Sequence, residues 1–190
     1  MAVRRELLLI LVLLAVIAAL VMAIQFFQIN VVEADASNFV TEDLQSKYPY
    51  ADISIMTITP MRNDENQRYF EVKARVTQLM DTPCPKRSHI YYNYPAQNFV
   101  PQPPETITNH CQVCTQGICT IAFPEEAVIA SHTLDGTEDV ESFLQEYQNA
   151  VPGVEERENS WVVSWYSSMA NNSYVVTIHR NGTVLDVTEY

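Results

Sequence analysis

Hydrophobic and polar positions change period several times along the chain, and each change marks an element. From Tyr69 to Thr77 the period is two: Phe70, Val72, Ala74 and Val76 alternate with Glu71, Lys73, Arg75 and Thr77. That is the pattern of a strand with one covered and one solvated face. Ala51–Thr59 predicts the strand before it, with Ile53, Ile55 and Thr57 on one face. Val40, Leu44 and Tyr48 recur at every fourth position, which predicts a helix capped by Asp35 or Ser37 and closed at Pro49. Val140, Phe143, Leu144 and Tyr147 form a second helical stripe behind Thr137, closed by Pro152-Gly153. Ser160–Ser168 then alternates Trp161, Val163 and Trp165 with Val162, Ser164 and Tyr166. Tyr174–His179 and Thr183–Thr188 flank Asn181-Gly182, the signal of a two-residue hairpin turn.

Between these patterned ends, Asp81 to Leu134 behaves differently. It carries Pro83, Pro85, Pro95, Pro101, Pro103, Pro104 and Pro124, which exclude long helices and central strands. Only Cys119–Phe123 and Ala127–His132 read as short regular pieces. The patterned ends resemble each other, with Val40, Leu44, Tyr48 and Pro49 in line with Phe143, Tyr147, Val151 and Pro152. The expected organisation is an anchor and connector (1–35), a first helix-plus-strands unit (36–80), a Cys/Pro-rich insertion (81–135) and a second helix-plus-hairpin unit (136–190). The class is α+β, either two related helix-on-antiparallel-sheet units or one sheet with a helix laid across it.

Leu7–Phe27 is apolar until Gln25 and predicts an N-terminal transmembrane helix embedded in the lipid bilayer. Arg4 and Arg5 before it and Glu33, Asp35, Glu42 and Asp43 after it predict a single-pass protein of the cell membrane. The N-terminus would then be cytoplasmic and the C-terminal domain extracytoplasmic. A signal peptide cut near Ala34-Asp35-Ala36 is one alternative. A pilin-like filament subunit assembling through this hydrophobic helix is another.

The net charge of −12, from 23 acidic and 11 basic residues, excludes nucleic acid as a natural partner. GxSxG, HExxH, GxGxxG and phosphate-loop motifs are absent from the sequence, which points away from an enzyme. Acidic pairs such as Glu125-Glu126 and Glu155-Glu156 read as solvated surface. Cys84, Cys111, Cys114 and Cys119, with His89 and His110 nearby, form the one dense chemical constellation. Outside the cytosol the four thiols would form two disulfides, in any of three pairings, and pin the insertion. No cofactor is then required. The alternative is zinc held by members of the set Cys84, His110, Cys111, Cys114 and Cys119, or a redox Cys111-x2-Cys114. Tyr91, Tyr92, Tyr94 and Phe99 among the prolines predict an aromatic recognition surface for a protein or cell-envelope partner, or else a plug against the sheet. Asn171 and Asn181 head Asn-x-Ser/Thr triplets and are candidate glycosylation acceptors.

The stretch WVVSWYSSMANNSYVVTIHRNGTVLDVTEY, with the helix before it, resembles the PepSY and cystatin-like pattern over about 55 residues, with an echo in Val40–Thr77. The resemblance implies a helix packed on a curved antiparallel sheet, in a module used outside the membrane for binding, inhibition or regulation. The Gln-x-Val-x-Gly of inhibitory cystatins is missing, since Gln112-Val113 runs into Cys114-Thr115. A non-catalytic binding or scaffolding module is therefore expected.

Overall fold

The computed structural model describes residues 12–14, 16–20, 32–97, 102–108, 111–114 and 119–190. The chain divides into two units, Met1–Val32 and Glu33–Tyr190. In the first, residues 12–14 and 16–20 are helical, and Val12, Leu13, Leu14, Val16, Ile17 and Leu20 are exposed. The remainder of Leu7–Phe27 lies outside the described residues. Among the described residues no helix is long and apolar enough to cross a membrane. This overturns the expected transmembrane helix, and with it the single-pass placement across the cell membrane. Hydropathy reports only a preference for apolar surroundings, whereas a span needs about 20 apolar residues in one helix.

The second unit holds two antiparallel sheets, each a simple meander: β1-β2-β3-β4 and β5-β6-β7-β8. The first comprises β1 (Asp52–Arg62), β2 (Arg68–Gln78), β3 (Lys86–Tyr94) and the short β4 (Glu105–Thr106). Helix α1 (Glu33–Lys47) precedes it and buries Ala36, Val40 and Leu44 against Val72, Ala74, Val76 and Ile90. The second comprises β5 (Val151–Glu156), β6 (Ser160–Tyr166), β7 (Tyr174–His179) and β8 (Val184–Glu189), after α2 (Pro124–Thr133) and α3 (Glu138–Glu146). Its core joins Ala127, Val128 and Ala130 of α2 and Val140 and Phe143 of α3 to Trp161, Val163 and Trp165 of β6. Both indoles are satisfied inside this core. Trp161 donates to the Ile121 carbonyl at 3.0 Å, and Trp165 to Ser131 Oγ at 2.9 Å.

Both helices that precede β1 and β5 leave by the same turn. Tyr48 N–H donates to Leu44 and Ala51 N–H to Tyr48; Tyr147 N–H donates to Phe143 and Ala150 N–H to Tyr147. The equivalent residues are thus Leu44 and Phe143, Tyr48 and Tyr147, Ala51 and Ala150. Pairing Pro49 with Pro152 is four residues out of register, about one helical turn. Pro152-Gly153 does not close a helix; it lies within β5, opposite Trp165 and Ser164. As a sheet edge, β5 tolerates the proline.

Three further local readings change. The register between β1 and β2 shifts between Ile55 and Thr57. The bulge turns Thr57 outward and brings Ile58 to the core beside Ile53 and Ile55. β3 is a nine-residue interior strand inside the Pro-rich segment, because its own span, Lys86–Tyr94, contains no proline. The β7–β8 connection runs through Arg180–Gly182, with Gly182 at φ 85°, so it is a three-residue hairpin with a left-handed glycine.

Candidate functional site

A cleft of about 340 Å³ opens beside β3. Lys47 and Tyr48, at the end of α1, form one side, and Ile90–Asn93 of β3 form the floor. Ala96, Gln97, Gln102 and Pro104, from the β3–β4 connection, form the other wall. Aromatic faces, amides and a single ammonium suit a ligand that is partly apolar and rich in hydrogen-bonding groups.

The α1 side is held by three polar groups. Lys47 Nζ lies 2.7 Å from Asp43 Oδ2 and 5.6 Å from the Tyr92 ring centroid. The Tyr92 hydroxyl donates to the same Asp43 oxygen. Burial, then the hydrogen bond to Asp43, pushes the Tyr92 hydroxyl up to about 12. Burial opposes ionisation of Asp43, but the bonds from Lys47 and Tyr92 outweigh it and its pKa is lowered. The hydrogen bond to Asp43 raises the pKa of Lys47. Across the neutral range the trio is therefore a fixed ammonium, carboxylate and neutral phenol.

The predicted aromatic residues separate. Tyr91 and Tyr92 both line the cleft but face opposite sides of the sheet, as neighbours in a strand must. Tyr91 donates to Glu105 Oε2 at 2.9 Å and lies under Lys73 Nζ, 5.5 Å from its ring centroid. Tyr94 stacks on Phe39 of α1 at 5.0 Å and belongs to the packing of the first half. Phe99 lies outside the described residues. Lys47, Gln97 and Gln102 carried no sequence signal, because nothing local says that a helix end and a loop meet.

All four cysteines are paired, Cys84 with Cys111 and Cys114 with Cys119, at Cα–Cα distances of 5.2 and 4.7 Å. The first bridge closes the segment that holds β3, the cleft wall and β4. The second packs on the β7–β8 turn, where a Cβ at Gly182 would collide with Cys119 Sγ. Among the described residues no group of three or more His, Cys, Asp and Glu side chains is placed to hold a metal. His110, proposed as a zinc ligand, lies outside the described residues. Asn171 and Asn181 are both exposed, and the Asn181 amide oxygen accepts from Thr183 N–H.

Nothing in the local sequence pattern marks a second polar cluster. Arg75 and Thr77, expected on a solvated face, are buried, as are Arg87 and His89 of β3. Phe123 and the start of α2 cover Arg75 and Arg87. Glu125 is fully buried, with its carboxylate 3.3 Å from Arg87 Nη1 and 3.7 Å from Arg75 Nη1. Both guanidiniums lie on the Phe123 ring, 4.9 and 4.6 Å from its centroid. Glu126 pairs with Arg87 at 2.8 Å, and its other oxygen accepts the main-chain N–H groups of Ala122 and Phe123. Glu125-Glu126 is therefore a helix start plugged into the first sheet, not solvated surface. Burial, then Lys73 and Arg87, lowers the pKa of His89, against which Glu105 acts at 3.8 Å. Arg75 also pairs with Asp52 at 2.9 Å, so each guanidinium of the cluster meets carboxylates, an arrangement that ties α2 to the first sheet.

The chain matches no protein-family model, no curated protein and no solved structure.

Proposed function

We propose that the protein is a non-catalytic binding module whose ligand seats in the cleft between the end of α1 and β3. The observation that carries this reading is the cleft itself, in which Tyr48, Tyr91 and Tyr92 stand beside the amides of Asn93, Gln97 and Gln102. Asp43, Lys47 and Tyr92 are locked in one ionisation state, which suits recognition better than proton transfer. A helix followed by an antiparallel meander in each half supports kinship with PepSY and cystatin-like modules. Two disulfides support maturation in an oxidising compartment.

Titrating 15N-labelled protein with a randomised heptapeptide pool tests the reading. Amide shifts should concentrate at Lys47, Tyr48, Ile90–Asn93, Gln97 and Gln102, and Tyr92→Ala together with Lys47→Ala should abolish them. Shifts that leave these residues untouched, or none at all, would overturn it.

A further inference from the structure

β3 is unequally covered on its two sides. On the inner side β2 pairs with it from Phe70↔Tyr94 to Gln78↔Lys86. On the outer side β4 pairs only at Ser88↔Thr106 and His89↔Glu105. Arg87 shows which residues look outward. Its N–H donates to Thr108 Oγ1 at 2.7 Å and its carbonyl accepts from Ile107 N–H at 2.9 Å. In an antiparallel strand the N–H and C=O of one residue point the same way, and successive residues alternate. Arg87, His89, Tyr91 and Asn93 therefore direct their main-chain groups outward, while Ser88, Ile90, Tyr92 and Tyr94 direct theirs to β2.

β4 occupies His89 and then stops. Continuing the β3–β4 register would bring Pro103 opposite Tyr91, and proline has no N–H to give. Among the described residues, the main-chain groups of Tyr91 and Asn93 have no strand partner on the outer side. Among the described residues that stretch of edge, Ile90–Asn93, carries no outer strand, and it is the same one that floors the cleft. A row of alternating donors and acceptors at strand spacing is the complement of another main chain.

We infer that the cleft takes an extended peptide segment of a protein partner, which adds to the first sheet as a strand through the main-chain groups of Tyr91 and Asn93. This rests on reading the cleft as a binding site and specifies its ligand. The incoming strand takes up the ladder where the proline ends β4. Its side chains alternate, so those on the α1 side meet Lys47, Tyr48 and Tyr92 and those on the other side meet Tyr91. Affinity comes from main-chain hydrogen bonds and selectivity from that side-chain alternation.

The test uses amide hydrogen exchange on the full chain, followed by N-methylated peptides. In the free protein, Ile90 and Tyr92 amides should exchange slowly and Tyr91 and Asn93 amides fast. The tightest heptapeptide from the pool should slow exchange at Tyr91 and Asn93. Methylating its edge-facing amide nitrogens should weaken binding by about tenfold or more, while methylating the alternate ones changes it by less than about threefold. Asn93→Pro, which removes the main-chain N–H, should weaken binding at least about tenfold more than Asn93→Ala, which removes only the side-chain amide; if Asn93→Pro fails to fold, the methylated peptides decide. Slow exchange of Tyr91 and Asn93 in the free protein overturns the inference. So does a peptide that shifts the cleft amides yet is indifferent to methylation, which leaves the binding cleft standing. A protein whose cleft amides respond to no peptide overturns both.

Discussion

The two halves share a topology and differ in how they are finished. Residues 33–108 pack a helix on a meander with small aliphatics, Ala36, Val40, Leu44, Val72, Ala74 and Val76. Residues 119–190 pack two helices on the same meander with Trp161, Trp165 and Phe143. The second meander is paired strand for strand, whereas the first ends in a two-residue β4. Acidic and basic residues number ten and seven over residues 33–108, but twelve and two over residues 119–190. The lighter half has the open edge, the cleft and most of the cations; the heavier half supplies Phe123, Glu125 and Glu126 to cover the first sheet. The first half is thus a platform and the second half its brace.

Breaking the brace should give the largest effect. Glu125→Ala leaves Arg75 and Arg87 without their shared carboxylate and should cost about 3–5 kcal/mol in denaturant unfolding. A loss below about 1 kcal/mol would mean that the first half stands without it.

The disulfides come next and separate the halves. Replacing Cys84 and Cys111 by alanine frees a loop spanning 27 residues and should cost about 3.5 kcal/mol, against about 2 kcal/mol for the five-residue Cys114–Cys119 span. Hydrogen exchange should show the first loss around the cleft and the second around the β7–β8 turn.

Smaller still is the effect at two left-handed glycines. Gly182→Ala should cost about 1–2 kcal/mol from backbone alone, with an added penalty from Cys119 Sγ. Gly136 has the same φ sign but nothing within 4 Å of an added Cβ, so Gly136→Ala should show the backbone part only. A thermal melt of the two variants distinguishes them.

The acid response is the finest probe, because His89 and His132 lie in different halves. Burial lowers the pKa of both His89 and His132, the latter while its ring nitrogen contacts the Pro83 carbonyl at 2.8 Å. The unfolded chain protonates near the ordinary value of about 6.5, before the folded chain does. Stability is therefore complete above about pH 6.5 and declines as pH falls below it. His89→Gln and His132→Gln should each flatten that decline, measured by unfolding midpoints between about pH 7 and 5. An unchanged slope in either variant would remove that histidine from the response.

Much of the architecture was legible where one face is covered and the other wet. Val72, Ala74 and Val76 alternate as the core requires, and Val140 and Phe143 mark their helix directly. Legibility failed where a second layer arrives from far along the chain. Arg75 looks solvated until the start of α2 is seen lying on it, and no periodicity near Glu125 announces a buried pair. Proline density concealed β3, because the density belongs to the flanks of that strand and not to its span. At the site, Tyr91 and Tyr92 stood out as clustered aromatics, whereas Lys47, Gln97 and Gln102 are joined to them only by tertiary folding.

The chain has two tryptophans, Trp161 and Trp165, and both lie in the core of the second half. Intrinsic fluorescence excited at the red edge of absorption is thus a private signal of one unit, while the tyrosines around the cleft contribute nothing to it. If emission and far-UV dichroism trace a single unfolding curve, platform and brace melt as one cooperative body. If dichroism departs first while emission holds, the first half can open alone, and a partner strand that closes its edge would delay that departure.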